Sequence, residues 1–281
     1  MSIEKVRQYA IETVTGLLGD IESAAKRGAA VFGAEELLNS VIPSFIEPSP
    51  VTWYKPQIGE IYTGERRNLT TLLGCKDWIS TLRAIPDRNW MVKAGDYIRL
   101  PVKTGAAKYG ELKFSPLDIE EADLVVIQST PDKIILNFEE VLFHSAVNSE
   151  NTNKGGFTNS ALSYYLNANF IETFSPVEKI LAKNKNGDRV TLPSLYEVTG
   201  DDDYGDDVNW EDEPRQLEYF KKIKNRIRVK DNDTQWWWLS TAAYETTFCG
   251  VYVSGSASYG SASTATGGVA PAICIIRPPA P

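Results

Sequence analysis

The chain has 281 residues, of which 42% are hydrophobic and 23% charged, and its formal net charge is −8. This composition is typical of a globular protein, and the negative balance argues against a nucleic-acid partner. The sequence contains no apolar run of about 18 residues and no basic N-terminus followed by an apolar stretch, so we expect neither membrane insertion nor a signal peptide.

The N-terminal segment, residues 1–50, is predicted to be helical. Val6, Ala10 and Val14 recur at helical spacing, and Pro48 and Pro50 mark its end. Such a segment either packs on its own domain or attaches the chain to other proteins or to further copies of itself, and the sequence leaves both open. We expect a connecting α/β region over residues 51–94 and a ligand-binding domain over residues 95–281.

The middle of the chain alternates between strand and helix signals. Residues 124–127 and 133–138 are apolar runs separated by turn residues, which predicts an antiparallel hairpin or two neighbouring strands. A helix is expected after Gly156, with Asn159 or Ser160 as its N-cap. A second helix is predicted over residues 177–183, followed by an Asn-Gly turn that leads into a strand at Val190.

Residues 200–213 form an acidic segment with eight carboxylates. Its spacing resembles a calcium-binding loop only superficially, and Asp201, Asp203 and Asp207 are weak calcium candidates beside the simpler interpretation of a solvated loop. From Pro214 onward, the pattern predicts a basic amphipathic helix. In it Ile223 would face inward and Arg228 would face water.

The most unusual stretch runs from Ser240 to Gly268. Of its 29 residues, 24 are Ser, Ala, Thr, Gly or Tyr, and Glu245 is its single charge. Trp236-Trp237-Trp238 precede it and an apolar run around Ile273 follows it, so both ends are predicted to be buried. Tyrosine with small residues is the composition of antibody-type binding surfaces. A Ser/Gly-rich hairpin without a binding role is the alternative.

Catalytic and metal-binding signals are weak. Cys75, Cys249 and Cys274 form no CxxC pair and are interpreted as small buried hydrophobic residues, although a Cys249–Cys274 pair stays open. His144 is the only histidine and has no nucleophile motif nearby, so we expect no cofactor, no zinc site and no Ser-His-Asp triad.

Five separated motifs carry a family resemblance. They are, in chain order, Gly155-Gly156-Phe157, Tyr165-Leu166-Asn167, Leu192-Pro193-Ser194, Trp237-Trp238-Leu239-Ser240 and Gly268-Val269-Ala270-Pro271-Ala272. Together they resemble an uncharacterised domain of tail-associated proteins from phages and prophages of gut bacteria, with the signature WWLRS…GVRPA. The resemblance covers about residues 95–275. The chain departs from the signature at Ser240-Thr241, where Arg-Ser is usual, and at Ala270, where Arg is usual.

The resemblance implies an α+β fold: a C-type-lectin-like domain of the formylglycine-generating-enzyme variety, preceded by the helical segment. Proteins diversified by retroelements use this layout to present a variable surface, and residues 240–268 have the composition that such diversification produces. The expected variable, ligand-contacting positions are Ala243, Tyr244, Thr246, Thr247, Gly250, Tyr252, Ser254, Ser256, Ser258, Tyr259, Gly260, Thr264 and Thr266.

The resulting functional expectation is a non-enzymatic, receptor-binding protein, made in the bacterial cytoplasm and displayed on a phage or prophage tail. Its partners would be a host cell-surface protein or glycan and other virion tail proteins, and homo-oligomers would add avidity. The alternatives are a structural virion protein without variation and, more remotely, an enzyme of the formylglycine-generating type. The enzyme would need Cys249 and Cys274 as its cysteine pair.

Overall fold

A computed structural model describes residues 66–205, 207–210 and 216–276 of the chain. The predicted helical segment 1–50 and residues 51–65 of the connecting region lie outside these ranges. The described part combines two five-stranded sheets with two small two-stranded sheets and a few short helices. It is therefore a mixed α+β structure, as the sequence predicts.

The first large sheet is antiparallel throughout and has the strand order β1-β4-β5-β14-β7. The predicted hairpin is confirmed as β4 and β5, which pair Val126 with Leu136. Nearly every residue in the second half of β4 and in β5 is buried, because packed side chains cover both faces of the sheet. The strands are β1 (Tyr97–Thr104), β4 (Leu117–Ser129), β5 (Lys133–Phe138), β7 (Val190–Thr191) and β14 (Ala272–Ile276).

The second large sheet has the order β12-β11-β10-β13-β6. The β10–β13 pair is parallel, with Trp237 opposite Gly268, and the other three pairs are antiparallel. Its strands are β6 (Phe143–His144), β10 (Trp237–Ala242), β11 (Thr247–Val251), β12 (Ala257–Ser261) and β13 (Gly268–Val269). The small sheets pair β2 (Ala107–Tyr109) with β3 (Leu112–Phe114), and β8 (Arg228–Lys230) with β9 (Asp233–Gln235).

The α-helices in the described part are short and begin with side-chain caps. The helix predicted after Gly156 is confirmed: Ser160, one of the two expected caps, accepts a hydrogen bond of 3.1 Å from the Ser163 backbone N–H. The α-helices are α1 (Leu69–Leu72), α2 (Trp78–Arg88), α3 (Ala161–Ala168) and α4 (Leu195–Thr199). Single 3₁₀ turns lie at Asn89–Met91, Phe157–Asn159, Phe170–Phe174, Glu178–Ile180, Glu218–Lys221 and Ile223–Arg226.

The buried side chains form two clusters, one on either side of the first sheet. Leu124 and Val126 contribute to one cluster together with Trp238 and Phe248, whereas Val125 and Ile127 contribute to the other. Leu69, Leu82 and Ile85 of α1 and α2 are fully buried in the first cluster. Residues 69–85 thus share a core with the strands that follow them.

The helix predicted over residues 177–183 is wrong. Only Glu178–Ile180 makes a single 3₁₀ turn, and Leu181 is already extended. Leu181 forms a β-bridge with Ile275, and the Ala182 N–H donates to the Cys274 carbonyl at 2.8 Å. The chain extends the sheet here because the edge of β14 offers hydrogen-bond partners that a helix would leave unused.

The basic amphipathic helix predicted after Pro214 is also wrong in its described part. Residues 218–226 form two 3₁₀ turns separated by the extended Lys222, so no continuous helical face exists. Ile223, expected inside, is 54% exposed, whereas Arg228, expected in water, is fully buried in β8. The hydrophobic periodicity predicted the wrong structure because this stretch packs over the second cluster of buried side chains. Contacts with Phe220 and Trp237 bury the Arg228 side chain.

No helix among the described residues is long and apolar enough to cross a membrane.

Candidate functional site

Two of the three consecutive tryptophans, Trp237 and Trp238, make a buried base as the sequence predicts, whereas Trp236 is only partly buried. Trp237 and Trp238 are fully buried and belong to different core clusters, because neighbouring strand residues point to opposite faces. The Trp238 indole N–H donates to the Ser145 carbonyl at 2.8 Å, and that of Trp237 donates to the Arg226 carbonyl at the same distance. The base is therefore fixed by packing and by hydrogen bonds. The apolar run after Gly268 is also buried as far as Ile275.

A β-hairpin formed by β11 and β12 lies beside this base, and its first strand pairs with β10. Cys249 pairs with Tyr259, and Val251 pairs with Ala257. The connection is a tight turn in which the Gly255 N–H donates to the Tyr252 carbonyl at 2.8 Å. Gly255 has φ +86°, and a Cβ there would lie 2.6 Å from the Ile223 carbonyl oxygen, so glycine is required. The turn leaves Tyr252 55% exposed.

Three tyrosines from separate chain segments make one row on this part of the surface. The ring centroids of Tyr204 and Tyr244 are 5.4 Å apart, and those of Tyr244 and Tyr259 are 5.3 Å apart. Both pairs meet nearly at right angles, an arrangement favoured by the aromatic quadrupole. Tyr244 and Tyr259 are more than half exposed. We call Tyr204, Tyr244 and Tyr259 the tyrosine row.

The acidic segment borders the tyrosine row. A hydrogen bond with Tyr244, followed by burial, raises the pKa of the Tyr204 hydroxyl. Burial raises the pKa of the Cys249 thiol to about 12, and the nearby negative charge of Asp201 contributes to this shift. The surface therefore presents the neutral phenol of Tyr204 beside carboxylates.

Tyr204 is the residue that sequence reasoning missed. It lies between Asp203 and Gly205 in a segment interpreted as solvated or calcium-binding. Its position as an aromatic residue close to several carboxylates was an available signal, since a loop that is only solvated does not need an aromatic ring. Only the tertiary contact with Tyr244 shows where it belongs.

The predicted ligand-contacting positions divide by exposure. Seven are exposed: Tyr244, Thr246, Tyr252, Ser254, Ser256, Tyr259 and Thr266. Five are partly exposed: Ala243, Thr247, Ser258, Gly260 and Thr264. Gly250 is buried. The segment thus supplies a broad accessible surface, to which Gly250 contributes nothing.

The prediction that Gly250 and Gly260 are variable, ligand-contacting positions is corrected by the structure, because both residues lie against tryptophan. A Cβ at Gly250 would stand 2.8 Å from the Trp237 carbonyl oxygen, and one at Gly260 would stand 2.9 Å from Cη2 of Trp238. Substitution at either position would force the packed base to shift. Gly250 also does not share a strand face with Tyr252 and Ser254, since β11 ends at Val251 and the other two lie in the turn.

The calcium candidates do not converge. The Asp201 carboxylate accepts a hydrogen bond of 3.0 Å from the Asp203 N–H, and Asp207 forms an ion pair with Lys185. Among residues 66–205, 207–210 and 216–276, no group of three or more His, Cys, Asp or Glu side chains is placed to hold a metal ion.

The residues considered for catalysis lie apart. Cys249 is buried in β11 and Cys274 in β14, on different sheets, and no disulfide joins them. Cys75 is half-buried near α1. His144 is exposed on β6, with its Nε2 3.1 Å from Gln235 Oε1.

Residues 131–277 match the family model of a domain of unknown function, DUF6273. The matched region is just over half of the chain and includes the whole tyrosine row and its base. No curated protein matches the chain, and no solved structure does.

Proposed function

We propose that this chain, which belongs to the DUF6273 family, is a ligand-binding protein whose contact surface is the tyrosine row together with the exposed turn at Tyr252. The observation that carries the proposal is the row itself. Tyr244 and Tyr259 are in mutual contact and more than half exposed, although their rings could bury substantial apolar area. Exposed contiguous aromatics on a rigid base are typical of binding surfaces.

The surroundings of the row support recognition rather than catalysis. Buried tryptophans fix the strands, so the exposed rings lose little further freedom when a ligand binds. Small hydroxylated side chains at Thr246, Ser254 and Ser256 are exposed in the same chain segment and offer adaptable hydrogen bonds. Asp201 and Asp203 add negative charge at one side.

The fold type, the place of display and the ligand that we propose rest on the motif resemblance. The domain would be C-type-lectin-like, displayed on a phage or prophage tail, and would bind a host cell-surface protein or glycan. Retroelement diversification would act on exposed positions of residues 240–268, with Gly250 and Gly260 removed from the set because of their contacts with tryptophan. Contacts with other tail proteins and homo-oligomerisation belong to the same proposal.

A cell-binding experiment tests the binding role. Fluorescently labelled protein would be added to intact cells of a panel of gut bacteria, and bound protein would be measured by flow cytometry. The double variant Tyr244→Ala/Tyr259→Ala should weaken binding by about 30-fold or more, as loss of central aromatic contacts does. The control is Tyr164→Ala, because Tyr164 is 51% exposed on α3 and lies outside the row.

Equal binding by the double variant and the wild type, or equal loss in the Tyr164→Ala control, would reject the tyrosine row as the contact surface. Sequencing the codons of residues 240–268 across a population that carries the gene tests the diversification separately. Substitutions should cluster at exposed positions and spare Phe248, Gly250, Gly255 and Gly260. A uniform segment would leave a binding surface of fixed sequence or a structural virion protein.

A further inference from the structure

A second exposed surface lies at the turn that connects β11 with β12. Ile223 and Tyr252 are 54% and 55% exposed, and the two residues meet at Gly255. The Gly255 N–H donates to the Tyr252 carbonyl, and Cγ1 of Ile223 lies 3.1 Å from the place where a Cβ of Gly255 would stand. The residues around Ile223 are therefore held against the hairpin turn, and two large side chains are left in contact with solvent. We call Lys221, Lys222, Ile223 and Tyr252 the basic patch.

Lysines next to Ile223 give this patch its positive charge. Lys221 and Lys222 are exposed, and neither forms an ion pair with another residue of the described ranges. Residues 218–226 contain four basic side chains and a single carboxylate, Glu218, in a chain whose formal net charge is −8. Distant carboxylates do not cancel this local charge, because salt screens exposed charges over about 8–10 Å at physiological ionic strength. The patch thus joins apolar area with unpaired positive charge.

The tyrosine row carries the opposite charge. Asp203 directly precedes Tyr204 and Glu245 directly follows Tyr244, and both carboxylates are exposed. Within the part of the chain that the structure describes, neither of them forms an ion pair. Asp201, two positions before Asp203, adds a third carboxylate. The row therefore combines exposed aromatic rings with negative charge that no described cation neutralises.

The basic patch and the tyrosine row are complementary in both charge and hydrophobicity. Lysine ammonium groups pair with carboxylates and also bind over the faces of tyrosine rings. The side chains of Ile223 and Tyr252 can cover Tyr244 and Tyr259, which are more than half exposed. A simple polyanion would use the lysines but leave Ile223 in water, whereas a purely apolar partner would leave the lysine charges unpaired. An acidic surface rich in tyrosine satisfies both requirements, and this chain itself carries one.

We propose that the basic patch of one copy of this chain binds the tyrosine row of a second copy. Lys221 and Lys222 would pair with Asp203 and Glu245 across the interface, and the apolar side chains would pack between these pairs. The contact joins two different surfaces, so copies associate head to tail unless a two-fold axis forms both contacts at once. The association is weak and salt-sensitive, because exposed ion pairs contribute little and are screened. It goes beyond the proposed function, since a ligand on the tyrosine row and a second copy would exclude each other.

Charge reversal in the full chain, followed by sedimentation velocity at concentrations up to about 1 mM, tests the proposal. The wild type should self-associate in about 0.01 M salt and dissociate in about 1 M salt, because the screening length falls from about 30 Å to about 3 Å. Lys221→Glu/Lys222→Glu and Asp203→Lys/Glu245→Lys should each weaken association by about tenfold or more, because like charges then face each other. An equimolar mixture of the two variants should restore association, since every facing pair is again opposite in charge.

Lys179→Glu/Lys183→Glu is the matched control, because it makes the same charge change at exposed lysines outside the patch. It should associate like the wild type, and circular dichroism should show that all variants are folded. The proposal is overturned if the wild type stays monomeric, if the mixture does not associate, or if the control weakens association equally. Reversal of Lys221 and Lys222 that reduces cell binding without changing sedimentation would also overturn it and would assign these lysines to the ligand. Failure here leaves the proposed function intact, because the cell-binding test removes tyrosine rings and no charge.

Discussion

The guanidinium of Arg228 stacks on Trp237, with its central carbon 4.7 Å from the ring centroid, and both side chains are fully buried. Arg228 also donates to Asn137 Oδ1 at 2.5 Å and to the Asn225 carbonyl at 2.9 Å. Asn137 in turn donates to the carbonyls of Ala270 and Pro271, between β13 and β14. One buried arginine thus links the tryptophan base to the junction of the two large sheets.

Replacing this arginine should destabilise the fold strongly. Arg228→Ala removes the stacking, opens a cavity and leaves Asn137 Oδ1 without its donor, so we expect a loss of about 2–5 kcal/mol in the free energy of unfolding. Urea denaturation would measure it. The control is Lys222→Ala, an exposed residue six positions earlier, which should change stability by no more than about 0.5 kcal/mol. Similar effects of the two substitutions would mean that Arg228 is exposed to solvent and not buried.

The three cysteines should differ in reactivity. Burial raises the pKa of the Cys249 thiol to about 12, so almost no thiolate is present near neutral pH. Cys274 is also buried, whereas Cys75 is half-buried. Under native conditions, a maleimide followed by mass spectrometry should modify Cys75 first and should reach Cys249 and Cys274 only in denaturant. Two fast-reacting thiols at positions 249 and 274 would instead revive the enzyme alternative.

The buried carboxyl of Glu197 should make the free energy of unfolding decrease as the pH rises. Burial raises the pKa of its carboxyl, against the opposing effect of hydrogen bonds donated by Ser194 and Asn209. Because the pKa is higher in the folded state, the contribution of Glu197 to the free energy of unfolding is fully present below the unfolded-state pKa of about 4.3. It is lost as pH rises through the folded-state value. The wild type should therefore lose this contribution progressively as the pH rises from about 4 through the raised pKa of Glu197.

Glu197→Gln isolates that effect. The amide cannot ionise, but its NH₂ group meets existing donors, so the variant should be less stable than the wild type by about 1–3 kcal/mol at low pH. This difference should shrink as pH rises, because only the wild type loses the contribution. Urea unfolding across the pH range would measure it, with exposed Glu218→Gln as the control. Parallel stability curves for Glu197→Gln and the wild type would contradict a raised pKa of the buried Glu197 carboxyl.

Side chains should be tolerated unequally across residues 240–268. Gly260→Ser places a Cβ 2.9 Å from Trp238 and 3.1 Å from Trp236, so we expect a loss of about 1–3 kcal/mol. Ser256→Tyr, at an exposed turn position, should stay within about 0.5 kcal/mol of the wild type. Thermal unfolding would compare them. Equal stability would mean that the tryptophan base can move, and Gly260 would rejoin the diversified set.

Elements whose signals are local could be predicted from the sequence. The hairpin of β4 and β5, the cap at Ser160 and the turn before Val190 each depend on residues within a few positions of one another. The burial of Trp237 and Trp238 was also predictable, since such large apolar groups are rarely left in water. Much of the exposed surface at Tyr244, Tyr252 and Tyr259 followed from composition.

What the sequence determined by itself is therefore the buried base, the short-range turns and caps, and a surface segment made of tyrosine and small residues. Only the tertiary structure decided that Arg228 is buried, that Tyr204 joins Tyr244, and that Gly250 and Gly260 lie against tryptophan. The reason is physical: each of these outcomes depends on contacts between residues far apart in the chain. The burial of Arg228 depends on Asn137, 91 positions away, which no local pattern of charge or hydrophobicity encodes.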